Sequence, residues 1–215
     1  WKYKYYDYVL SNAEKLVAVS KKQKEIIVKV FGQSYSKKIN IIYNGVDLRT
    51  FTIKKPKKNI NNNKSIIAVG NLVKSKGFEL LIKSFSKLNS KNIAYSLTII
   101  GEGKERKSLE KLINKLKINS QVKLLGALNN NLLAHELSKH NIFALATKRE
   151  TFGIVFLEAM ACGLPLVAPR IAPLTEFINE ESCIYFNKYD IGSLSNAISK
   201  ASYKNWDRKQ IIKNA

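Results

Sequence analysis

The sequence predicts an α/β fold: a Rossmann-like parallel sheet with helices on both faces. Three observations lead there. Strand-like and helix-like segments alternate along the 215 residues, as they do where crossover helices join parallel strands. Glycine-bearing loops, V-G-N from Val69 and I-I-G-E-G from Ile99, sit where strands end and ligands of such folds bind. The stretch Ile154 to Cys162 is apolar on nearly every side except for Glu158, which marks a buried helix.

In chain order, Leu16 to Val19 and Ile39 to Tyr43 read as strands with a helix between them, ending in the turn Asn44-Gly45-Val46-Asp47. This piece is too small to form a core of its own. Thr52 to Lys64 has no periodicity and is rich in lysine and asparagine, as a linker is. Its run Lys54-Lys55-Pro56-Lys57-Lys58 looks like a nuclear localisation signal, but a surface loop in a lysine-rich chain is the simpler account. Beyond it the strands are Ser65 to Gly70, Ser96 to Gly101, Val122 to Gly126, Ile142 to Ala146, Pro165 to Ala168 and Cys183 to Phe186. The helices are Gly77 to Leu88, Glu105 to Leu116, Leu132 to Lys139, Gly153 to Cys162 and Ile191 to Ser202. In the second of these, Leu109, Leu112, Ile113 and Leu116 recur at helical spacing, so its lysines form the wet face. The resulting division is a fragment of a first domain over 1–47, a linker over 48–63 and a complete domain over 64–215, a size that folds alone.

The net charge of +21 implies attraction to something anionic without choosing among nucleic acid, a membrane surface and a phosphorylated small molecule. The chain does not begin with methionine, and its first residues are neither a signal peptide nor long enough to span a bilayer, so it reads as a segment of a longer protein. Trp1, Tyr3, Tyr5, Tyr6 and Tyr8 read as a helix that packs on parts of the first domain lying outside this chain. Cys162 and Cys183 lie in apolar surroundings without metal-ligand spacing, which predicts reduced, buried thiols, no metal and a cytoplasmic protein.

Chemistry concentrates in E-T-F-G-I-V-F-L-E-A-M-A-C-G-L-P, Glu150 to Pro165. A carboxylate inside an apolar helix is costly without a partner, so Glu158 needs a salt bridge, a set of donors or a ligand with hydroxyls. Glu150 and the turn Thr151-Phe152-Gly153 stand at a helix threshold, where free amides attract anions. Two structural glutamates, one capping the helix and one paired with a lysine, fit this window equally well. A second candidate is Val69 to Phe78, a strand ending in glycine followed by Lys74, Lys76 and a helix-opening glycine. It matches neither the P-loop nor the dinucleotide spacing. His135 and His140 lie in or beside a helix away from the strand-end loops, and read as surface or packing residues.

Taken in order, N-G-V-D, V-G-N-L-V-K-S-K-G, I-I-G-E-G and E-T-F-G-I-V-F-L-E-A-M-A-C-G-L-P resemble the successive signatures of family 4 retaining glycosyltransferases of the GT-B fold. The resemblance runs from about Leu16 to Ser199. It implies two Rossmann-like domains facing across a cleft, with this chain the C-terminal half that holds a nucleoside diphosphate sugar. Glu150 would contact the transferred sugar and Lys76 would neutralise the departing diphosphate, as the catalytic pair. Glu158 would accept from the ribose hydroxyls, while Gly70, Asn71, Gly101 and the amides of Phe152, Gly153 and Ile154 complete donor binding. The nucleotide sugar, UDP-linked for example, is then a substrate, and no cofactor or metal is expected. The acceptor would be a glycan or a lipid-linked molecule, as in polysaccharide biosynthesis, at the inner face of a membrane.

Two departures stand out. Asn71 occupies a place where many relatives have arginine, and Ile171-Ala172 replace a usual glycine pair, although Pro173 and Glu176 keep the surrounding pattern. A non-catalytic nucleotide-sugar-binding module is therefore the first alternative. A basic polyanion or nucleic-acid binder is the second, motivated by charge alone, and it has no recognisable nucleic-acid motif.

Overall fold

The structure is a computed structural model that describes residues 2–52, 64–89 and 94–215. The basic run within the expected linker, and Trp1, fall outside them. The chain opens with helix α1 (Lys2–Asn12), then a small unit of strand β1 (Leu16–Ala18), helix α2 (Lys21–Phe31) and strand β2 (Ile39–Ile41). The two strands pair in parallel. This unit has its own small cluster of Ala18, Tyr35 and Ile39, with Ile27, Val28 and Phe31 packed against it.

The larger unit contains, in order, β3 (Lys64–Val69), α3 (Phe78–Asn89), β4 (Tyr95–Ile100), α4 (Arg106–Lys115), β5 (Val122–Gly126), α5 (Asn130–Ser138), β6 (Ile142–Ala144), α6 (Ile154–Ala161), β7 (Leu166–Pro169), α7 (Leu174–Phe177), β8 (Cys183–Phe186), α8 (Ile191–Tyr203) and α9 (Arg208–Lys213). Its six strands are all parallel, in the order β5-β4-β3-β6-β7-β8. Central strands β6 and β7 are buried at every residue, as a sheet covered on both faces requires, while edge strands β5 and β8 are partly exposed.

Helix faces follow the apolar spacing. Phe78, Leu81, Ile82, Phe85 and Leu88 drive α3 onto the sheet, and α3 and α8 pack against each other. Asn129 and Asp190 begin α5 and α8 by accepting from the amides of Leu132 and Ser193. Phe51 is buried in the larger core, so the first residues of the expected linker are docked on it.

All eight expected strands form, within two residues of their expected bounds. The short helices α7 and α9 escape prediction because neither is long enough to show a helical period. The order of strands has one functional consequence. The chain steps outward from β3 to β5, then returns to β6 on the other side of β3 and steps outward again. The loops leaving β3 and β6 therefore part at a topological switch point, the crevice where open α/β sheets bind ligands.

Candidate functional site

The loops at this edge are laced together by backbone. Gly70 and Leu72 amides donate to the carbonyls of Ile100 and Glu102, and the Gly101 amide donates to Gly126. A side chain at Gly101 would place its Cβ 2.0 Å from the Gly70 carbonyl oxygen, so this glycine is required by close approach of the two loops. The loop after β6 joins in as well, since the Lys148 amide donates to Ser75 at 2.7 Å. Gly77 has φ +69°, and a Cβ there would lie 2.0 Å from the Ala146 oxygen. Lys76 is thus held between two fixed backbones.

Its ammonium group meets Glu150 Oε1 at 2.6 Å, with the Glu150 side chain 7% exposed and that of Lys76 23%. The two residues expected to be catalytic are therefore brought together, and it is Glu150 that pairs with a lysine. Glu150 does not cap the following helix. The α6 N-cap is Gly153, in a left-handed conformation and without a side-chain cap. The amides of Phe152, Gly153 and Ile154 find no acceptor among the described residues, as is usual at the first turn of a helix, where such amides attract negative charge.

Glu158 lies further along α6, half-buried, and its carboxylate has no hydrogen bond or ion pair among the described residues, while its backbone carbonyl accepts from the Cys162 amide. Desolvation raises its pKa above the ordinary carboxylate range. Cys162, one turn on, is pushed up to about 12 by burial and by Glu158. Both cysteines are free and buried. Asn71 is exposed beside Gly70. A cleft of about 340 Å³ lined by Val73, Lys74, Gly77, Lys148 and Tyr189 opens beside these loops and contains neither glutamate.

The histidines lie apart. His140 is buried, with Nε2 3.0 Å from Thr98 Oγ1 and Nδ1 2.8 Å from the Glu136 carbonyl, a packing arrangement. Sequence reasoning placed Glu176 in the family's pattern but gave it no role. Its carboxylate in α7 accepts from the amides of Lys21 and Lys22 at 2.7 and 2.9 Å, and the Tyr43 hydroxyl lies 3.4 Å away. No local pattern joins residues so far apart in the chain. Among the described residues no helix is long and apolar enough to cross a membrane, and no His, Cys, Asp and Glu cluster could hold a metal.

A parallel Rossmann-like sheet with close-packed glycine loops at its switch point defines an α/β domain of the class that binds ligands at the carboxyl ends of its strands. The chain belongs to the glycosyl transferases group 1, a GT-B family, whose model matches residues 50–215. It is 33% identical over 176 residues to an uncharacterised glycosyltransferase of Methanocaldococcus jannaschii, covering 77% of this chain and 45% of that one. It is 30% identical over 149 residues to the N-acetyl-alpha-D-glucosaminyl L-malate synthase of Bacillus anthracis, covering 66% and 38%. Its fold is that of the Anabaena protein HepE in complex with UDP, with a TM-score of 0.80 at 21% identity over 94% of this chain and 57% of HepE. The chain spans less than half the length of these two curated relatives.

Proposed function

We propose that this chain is the donor half of a family 4 retaining glycosyltransferase, with residues 64–215 binding a nucleoside diphosphate sugar and residues 1–47 ending an acceptor-side domain. The observation that carries the reading is the Lys76–Glu150 pair at 2.6 Å beside the unused amides of Phe152, Gly153 and Ile154. In the structure each charge neutralises the other. A bound diphosphate would take Lys76 and the amides, and would release Glu150 to accept from hydroxyls of the sugar. Glu158 would take the ribose hydroxyls, which supply the donors it otherwise lacks. Gly70, Asn71 and Gly101 would form the wall of the crevice.

In the transfer step the bond from the anomeric carbon to the diphosphate oxygen breaks. The acceptor oxygen bonds to that carbon on the same face, and its proton passes to the departing phosphate oxygen. Lys76 and the α6 amides stabilise charge that grows on the leaving group, the contribution expected to dominate such a step. No metal or protein nucleophile is needed. The acceptor in this reading is a glycan or lipid-linked molecule met at the cytoplasmic face of a membrane. HepE, whose fold is shared, was solved with UDP, which makes uridine the first base to try.

The test is thermal unfolding of the chain with UDP, GDP and free sugars. A ligand of the native state at a hundredfold excess over its Kd adds about 2.7 kcal/mol. A shift with a nucleoside diphosphate and none with free sugar is expected, and no shift with any nucleotide at millimolar concentration refutes the reading. One observation favours a binding module without transfer: Asn71 is exposed, at a place where the family resemblance implies an arginine as second cation. Binding without turnover in the full-length protein would establish it.

A further inference from the structure

Glu176 joins two parts of the molecule that no motif connects. Its two carboxylate oxygens take the Lys21 and Lys22 amides at the first turn of α2, 155 and 154 residues away in the chain. Ser20, the N-cap of α2, accepts from Gln23 and donates its hydroxyl to the Thr151 carbonyl at 3.0 Å. On the other side of the same turn, Phe152 stacks on Phe177 of α7 with centroids 4.5 Å apart and an interplanar angle of 16°, and Tyr43 lies 6.0 Å from Phe152. The α2 end, helix α7 and the Thr151–Gly153 turn thus form one joint. A carboxylate at a helix N-terminus makes charge-assisted bonds to amides that would otherwise be unsatisfied.

We infer that Glu176 is a positioning residue of the donor site: by capping α2 from across the molecule, it fixes the turn whose amides face the ligand. The inference rests on the donor-site reading above. Without the carboxylate, α2 loses its hold on α7, Ser20 is no longer held against Thr151, and the amides of Phe152 and Gly153 lose their common direction. Glu176 itself need not touch the ligand.

The experiment uses the 215-residue chain, with Glu176→Gln as an isosteric change and Ser20→Ala as a second route to the same joint. UDP affinity is measured by calorimetry, and backbone amide signals are followed by NMR. In Glu176→Gln the signals of Phe152 and Gly153 should move without ligand, and the Kd for UDP should rise at least about fivefold, with Glu176→Asp in between. If Glu176→Gln does not fold, Ser20→Ala gives the same reading through the Thr151 anchor. A Kd within about twofold of wild type in the folded variants overturns the inference and leaves the contact a mere dock. A wild-type chain that binds no nucleotide overturns the donor-site reading instead. The NMR arm needs no ligand, so unmoved Phe152 and Gly153 signals then overturn the role of Glu176 as well.

Discussion

Lys76 Nζ and Glu150 Oε1 lie 2.6 Å apart although 74 residues separate them in the chain. The pair bridges the loop after β3 and the loop before α6, across the switch point of the sheet. Neither has another charged partner among the described residues. The edge therefore holds its cation and its carboxylate against each other, and under the proposed donor role a ligand carrying both phosphate and hydroxyls would satisfy both at once.

Removing one member should be costly, because Glu150 is nearly enclosed. Lys76→Met is expected to lose roughly 3 kcal/mol of stability by leaving a buried carboxylate unpaired. Adding Glu150→Gln should restore a good part of it. Urea unfolding of the two variants checks this, and an unchanged midpoint in Lys76→Met would show that water already carries the Glu150 charge.

Glu158 gives the opposite sign. Desolvation raises its pKa in the folded chain, so between the ordinary carboxylate value and the raised one the native state holds more protons than the unfolded state. Its contribution to stability is thus most favourable in acid and is lost as pH rises through that window. Glu158→Leu is expected to be more stable than wild type at neutral pH, with an advantage that shrinks toward low pH, and to bind no nucleotide. Glu158→Gln should fold but bind more weakly. Strong destabilisation by Glu158→Leu at neutral pH would point to a structural partner and remove the ribose role.

The sheet was legible because its strands are short apolar runs, and Val122–Gly126 and Cys183–Phe186 form with the expected bounds. Glu158 was legible as a candidate because a lone charge is conspicuous in an apolar helix, and Glu150 and Lys76 because they stand in loops at strand ends that match the family's motifs. Which glutamate would hold the lysine was not, since that depends on how the two loops meet in space. Glu176 was legible as part of the family's pattern, but its contact with α2 was not, for the same reason, and α7 is too short for periodicity to reveal it.

Gly77 tests whether the loop after β3 must be rigid. Its left-handed φ and the 2.0 Å approach of the Ala146 oxygen leave no room for a methyl group. Gly77→Ala should lose roughly 3 kcal/mol or more through strain and clash, and nucleotide binding should weaken further as Lys76 is displaced. Equilibrium unfolding together with UDP titration reads both effects. Full stability in Gly77→Ala would mean that the β3 and β6 loops separate easily.

The last prediction concerns division of labour. The small unit ahead of β3 has two short strands, and the described aromatic face of α1 leaves Tyr5 and Tyr8 67% and 69% exposed, a surface suited to covering by further chain. The curated relatives are about twice as long. If residues 1–47 are only the end of an acceptor-side domain, this chain holds the donor without orienting an acceptor. Orientation can account for roughly 7 to 11 kcal/mol of a bimolecular barrier. Water would also enter the open cleft and weaken the hold of Lys76 and the α6 amides on the leaving diphosphate. The 215-residue chain is therefore expected to bind a UDP-sugar and release UDP slowly by hydrolysis, with transfer returning when an amino-terminal domain is supplied. Time courses of UDP release and of glycosylated product, with and without that domain, check this. Full-rate transfer to a defined acceptor by these residues alone would place an acceptor site within residues 64–215 and refute the division.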